Sequence, residues 1–148
     1  MSTPISFKYH EDGLLSNGFK LPDMPMMSLL IVRHDLRKAA IVEGLVDTGF
    51  DGALYSNFEL AEFLLNLKPV SIKQMEAPGH LIRGEVFELP VFLISEEADR
   101  RIDLGLSEVF VPLSDTDLTE DIVIGREILN KLKIFLNGPN AKLTVEKG

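Results

Sequence analysis

Residues 44–57 read "GLVDTGFDGALYSN". An apolar run enters through Leu45 and Val46, meets Asp47, and continues at once into Thr48 and Gly49. A carboxylate at the end of an apolar strand is poorly placed to pack. Burying it is costly unless partners or chemistry compensate. What Asp47 is for therefore decides how the rest of the chain is read.

The surrounding apolar runs are short and separated by turn-like clusters, the pattern of a mostly β protein. "MMSLLIV" (26–32) and "AAIVEGLV" (39–46) flank the charged "RHDLRK", which predicts two strands joined by a turn. "EVFELPVFLI" (85–94) and "LSEVFVPL" (106–113) predict two more. "IFL" (134–136) and "AKLTVE" (141–146) flank "NGPN", a turn signal that predicts a C-terminal hairpin. Two short helices interrupt the strands. Ser56 and Glu59 have the form of a capping box, Leu60, Phe63, Leu64 and Leu67 follow helical spacing, and Pro69 blocks continuation. "REILNKL" (126–132) predicts the second, with Ile128 and Leu132 on one face. Phe58, Phe63, Phe87, Phe92, Phe110 and Phe135 are expected in the core. Residues 26–148 are expected to form the main domain, with residues 1–25 an edge strand or loose arm.

Composition narrows the function. The chain has 148 residues, 45% hydrophobic and 26% charged, as in globular proteins. A net charge of −8 argues against nucleic acid and against an anionic membrane surface as partners. There is no cysteine, hence no disulfide framework or thiol chemistry. The N-terminal "MSTPISFKYHEDG" lacks a basic region followed by an apolar run, and no stretch approaches the roughly 20 apolar residues of a membrane span. A cytoplasmic protein is expected. His10, His34 and His80 are scattered, and no His-Glu-x-x-His, phosphate loop or Gly-x-Ser-x-Gly elbow occurs. Neither a metal nor a cofactor is expected.

Asp-Thr-Gly alone arises by chance in a chain this long roughly a few times in a hundred. A second anchor, "VIG" (123–125) leading into the short helix, strengthens it. With both, the chain resembles the retropepsin-like aspartic proteases, single-domain relatives of pepsin. Their pattern is a strand ending in Asp-Thr/Ser-Gly, a hairpin flap, then two apolar residues and Gly before a short helix. "LVDTG" matches the first element and "IVIGREIL" the last, so the likeness spans about residues 26–146. "DTGFDGAL" also resembles microbial members, whereas viral members more often carry Ala where Phe50 stands. The resemblance implies a retropepsin-like acid-protease barrel and an aspartic endopeptidase acting on an extended peptide or protein substrate.

The chemistry accounts for the residue types. Peptide hydrolysis needs a nucleophilic water and an electrophilic carbonyl. Two carboxylates about 3 Å apart share one proton. The ionised one takes a proton from water, while the protonated one supports the carbonyl oxygen. Only one Asp-Thr-Gly is present, so a two-fold homodimer bringing two copies of Asp47 together is the economical solution. The resemblance also implies supporting parts. Thr48 hydrogen-bonds to its copy across the dimer, and Gly49 admits close backbone approach. Asp51 pairs with Arg126, which follows Gly125, to buttress the loop. Ala77, Pro78, Gly79 and His80 form the tip of the flap, where Pro-Gly suits a type II turn. "SDTDLTED" (114–121) borders the substrate groove, or is simply a solvated acidic loop. The alternative function is a catalytically silent peptide-binding or assembly module on the same fold.

Overall fold

A computed structural model describes residues 3–148. In chain order the elements are β1 (Ile5–Lys8), β2 (Met26–Arg33), a 3₁₀ turn (His34–Leu36), β3 (Lys38–Val46), β4 (Leu54–Tyr55) and α1 (Phe58–Phe63). There follow β5 (Ser71–Ala77), β6 (His80–Ile94), β7 (Arg101–Pro112), a 3₁₀ turn (Asp115–Asp117), β8 (Ile122–Ile124), α2 (Arg126–Leu129), β9 (Leu132–Asn137) and β10 (Lys142–Lys147).

The larger sheet runs β2-β3-β8-β4-β7-β6-β5, and a further pairing of β2 with β6 closes it into a barrel. Leu29 lies opposite Leu93 and Ile31 opposite Val91 at the closure, all four fully buried. β6 has two jobs. Its second half seals the barrel against β2, and its first half carries β5 as an antiparallel hairpin from Ser71↔Val86 to Ala77↔His80. Pro90 sits at a register shift between the two halves, a place where a strand tolerates a missing donor.

β3 and β8 run parallel, aligning Gly44 with Ile122 and Val46 with Ile124. A Cβ on Gly44 would lie 2.6 Å from Cγ1 of Ile124, so glycine lets Ile124 lie flat across β3. The smaller sheet, β1-β10-β9, caps the barrel. Ile5, Phe7, Leu143 and Val145 face inward and join one core with Leu29, Ile31, Leu54, Leu60, Ile122, Ile124 and Ile128. The chain from His10 to Met24 forms an exposed excursion pinned by bridges His10↔Met24 and Leu14↔Lys20.

Three local expectations are corrected. Asn57, not Ser56, caps α1: its side chain accepts from the Leu60 N–H at 3.0 Å. Ser56 is still held by the sheet, its N–H donating to Phe110 O at 3.0 Å, so the chain turns one residue later. α2 ends at Leu129 because Leu132 has already entered β9. Phe58 and Phe135 are 56% and 64% exposed, outside the core, whereas Phe87 and Phe110 are buried. No helix among the described residues is long and apolar enough to cross a membrane.

Candidate active site

Asp47 stands one residue beyond β3, where the parallel ladder with β8 ends. Its N–H donates to Ile124 O at 3.0 Å, extending that ladder by one step. The carboxylate is then held by the Gly49 N–H, which donates to Asp47 Oδ1 at 2.8 Å, and the backbone by the Phe50 N–H, which donates to Asp47 O at 3.2 Å. The loop therefore folds around its own aspartate, an Asx-type turn that aims the side chain by backbone alone. Asp47 is half-buried, and Thr48 and Gly49 beside it are exposed.

The second anchor packs on this loop. Gly125 is buried, its N–H donating to Ala53 O at 2.8 Å; the Arg126 N–H donates to Phe50 O at 2.8 Å and the Glu127 N–H to Gly52 O at 3.2 Å. A Cβ on Gly125 would strike Gly52 O and lie 2.7 Å from Phe50 O. The two motifs are thus one unit, joined through backbone. The expected ion pair is not part of it. No ion pair among the described residues joins Asp51 to Arg126, and both side chains are exposed. The three backbone bonds already tie the loops, leaving the guanidinium free to point into solvent.

The β5–β6 hairpin ends at Ala77 and His80, linked by Pro78-Gly79. Gly79 has φ +87°, as the third position of a type II turn requires. A small apolar cluster connects this hairpin to the loop: Tyr55, Ile82, Val86 and Phe110 are buried, with Phe50, Met75, Ala77 and Val123 packed against them. The Phe50 ring meets Tyr55 edge-on at 6.1 Å between centroids. Phe50 therefore tethers the loop to the base of the hairpin, a role that its position after Asp-Thr-Gly did not disclose. His80 reaches further, with Nε2 3.6 Å from Asp117 Oδ1 in the acidic segment. That segment is anchored in turn by Tyr55, whose hydroxyl donates to Asp117 O at 2.6 Å. Burial pushes the Tyr55 phenol above its usual range, with the Asp117 charge adding to the effect.

Between the loop and the hairpin lies a cleft of about 260 Å³ lined by Phe50, Asp51, Gly52, Met75, Val86 and Phe110, with Lys73 and Glu108 paired at 2.8 Å on its wall. A larger cleft of about 430 Å³, bounded by Thr3, Arg100 and Lys147, shares no residue with the motifs. Among the described residues no group of three or more His, Cys, Asp or Glu could hold a metal ion.

No protein-family model matches the chain, and no curated protein matches it. Among solved structures, a retropepsin-like aspartic protease from Rickettsia conorii aligns with it at a TM-score of 0.52 and 14% identity, covering 98% of this chain and 96% of that one. At that identity the likeness bears on the fold. The chain has the retropepsin-like fold.

Proposed function

We propose that the chain is an aspartic endopeptidase working as a homodimer, with Asp47 of each copy contributing half of a catalytic dyad. The observation that carries this reading is the Asp47 loop. The Asp47 N–H is anchored on Ile124 O and its carboxylate is held by the Gly49 N–H, on a loop that packs against Gly125 and that Phe50 joins to a hairpin with a Pro-Gly tip. A turn aspartate would need none of that bracing.

In the dimer the two carboxylates would share one proton and hold one water between them. The ionised carboxylate takes the water's proton as the water attacks the peptide carbonyl; the protonated one donates a hydrogen bond to the carbonyl oxygen as negative charge develops there. Collapse of the tetrahedral intermediate expels the amine, which leaves with a proton from the dyad. Their titration would belong to the pair. Thr48, exposed next to Asp47, would hydrogen-bond across the axis. The flap residues Ala77, Pro78, Gly79 and His80 would close over an extended substrate and exclude water.

The test is Asp47→Asn, which keeps an oxygen to accept from the Gly49 N–H and so preserves the loop. Cleavage of a denatured protein substrate should fall at least ~10³-fold, with unchanged circular dichroism. A statyl inhibitor, whose hydroxyl replaces the bound water, should bind the wild-type dimer. Cleavage that survives the substitution in a preparation free of host proteases overturns the assignment. Peptide binding without turnover under any condition would favour the silent module.

A further inference from the structure

The cleft between the Asp47 loop and the β5–β6 hairpin has a floor of aromatic rings wedged against backbone. We infer that Phe50 is a specificity-determining residue. The cleft takes one short aliphatic side chain of a peptide, and the Phe50 ring occupies the space that an aromatic side chain would need. This inference rests on the dyad reading of Asp47, which sets a peptide beside that carboxylate.

Phe50 is the first large side chain after Asp47, and its N–H donates to Asp47 O at 3.2 Å, so its ring stands close to the carboxylate. The ring lies against two glycines. A Cβ on Gly52 would meet Phe50 Cζ at 2.7 Å, and one on Gly125 would meet Phe50 Cδ2 at 2.5 Å. Phe110, the second ring of the floor, is held in the same manner. A Cβ on Gly84 would lie 2.5 Å from Phe110 Cζ, and the Tyr55 ring packs on Phe110 at 5.5 Å between centroids. Val86, opposite Phe110 on the neighbouring strand, is buried. Rings seated on backbone have nowhere to swing, and close-packed surroundings resist a gradual shift. Met75 is the flexible member of the apolar lining. Phe50 and Met75 stay half-buried, so theirs are the apolar faces that the cleft offers to a ligand.

Size and charge define the occupant. At about 260 Å³ the cleft falls below the roughly 300–1,000 Å³ of sites that enclose a whole small molecule, and it suits a single side chain. The Lys73 ammonium donates to Glu108 Oε2 at 2.8 Å, so the charges on that wall neutralise each other. A charged side chain entering the cleft would have to break this pair. Asp51 and Glu127, both exposed, complete the lining and disfavour an acidic side chain in particular. An apolar side chain loses nothing to these groups and gains contact with Phe50 and Met75. A branched aliphatic one lies over the Phe50 ring. An aromatic one would have to displace a ring already wedged on Gly52 and Gly125.

The test starts from a peptide that the wild type cuts or binds and places Ala, Val, Phe or Trp in turn at each position near the cut. At one position, kcat/KM of the wild type should fall at least ~10-fold from Val to Phe, the scale on which apolar pockets discriminate. Phe50→Ala should abolish or reverse that preference, and Phe50→Leu, which refills most of the space and preserves the loop, should lie between. The ratio between peptides is the measured quantity, because a ring that only packed the loop would change every peptide alike. The same ratio is read without turnover as peptide affinity, by calorimetry, in Asp47→Asn protein with and without the Phe50 changes. A wild type with no size preference at any position, or a Val-to-Phe ratio that Phe50→Leu and Phe50→Ala leave unchanged, overturns the inference. The two proposals fail separately. A Phe50-dependent binding preference in a protein without Asp47-dependent cleavage removes the dyad and leaves the cleft. Asp47-dependent cleavage with a ratio indifferent to Phe50 removes the cleft and leaves the dyad.

Discussion

Gly125 has no room for a methyl group. Its Cβ would collide with Gly52 O, approach the Phe50 ring at 2.5 Å, and lie 2.7 Å from Phe50 O, two of the three obstacles being backbone. Backbone cannot swing aside as a side-chain tip can, so Gly125→Ala should force α2 off the Asp47 loop. Overpacking of this kind costs about 3 kcal/mol, or roughly 6–12 °C in Tm at this chain length, measurable by thermal denaturation. Asp47 and Gly125 were legible as residues because each is a backbone requirement written in the chain: an aspartate where packing needs none, and a glycine between apolar residues and a helix. The expected Asp51–Arg126 pair does not form among the described residues. Long side chains choose partners after the loops are set, and here Phe50 O, Gly52 O and Ala53 O had already supplied the bracing.

At the scale of elements, the most consequential contact lay in a segment that reads simply as a charged turn. Arg33, at the end of β2, is 3% exposed and donates to Phe63 O at 2.8 Å and Leu65 O at 2.7 Å, satisfying carbonyls at the end of α1. Its remaining nitrogens hold Asp35 at 3.0–3.2 Å. Sequence periodicity has no means of showing that a turn arginine reaches back to a helix terminus thirty residues on. Arg33→Met should cost about 2–3 kcal/mol from lost charge-assisted bonds, read as a lower denaturant midpoint. Hydrogen bonds from Arg33 hold the Asp35 carboxyl below its ordinary range. A lowered folded-state value means that this stabilisation is present above the unfolded carboxyl's value, about 3.9, and is lost as pH falls through the folded one. The acid arm of a stability-versus-pH curve should therefore flatten in Arg33→Met. Tyr55 acts with the opposite sign. Its phenol is raised, so its stabilisation is present below about pH 10 and is lost as pH climbs through the raised value. Tyr55→Phe should cost about 1 kcal/mol at neutral pH and remove that alkaline component, as followed by urea titration at several pH values.

At the scale of the whole molecule, the longer strands and the C-terminal hairpin were legible because short apolar runs between turn clusters report local pairing, whereas β4 and β8, two and three residues long, were not expected. The closure of β2 on β6 and the sharing of β6 between barrel and flap were not, because both are long-range pairings with no local signature. Phe135 shows the same limit from the other side. An aromatic on an apolar strand reads as core, yet it is exposed in the single chain. If the site is built from two copies of Asp47, mixing separates that arrangement from a self-sufficient protomer. Asp47→Asn protein keeps its fold and so would exchange into wild-type dimers. At equal concentrations, random pairing leaves about a quarter of the dimers with two intact aspartates. Activity per wild-type chain should then fall to about half, and toward zero with further Asp47→Asn. A protomer carrying a complete site would keep its activity at every ratio. Cleavage rates measured across a mixing series, after time for subunit exchange, distinguish these outcomes without knowledge of the natural substrate.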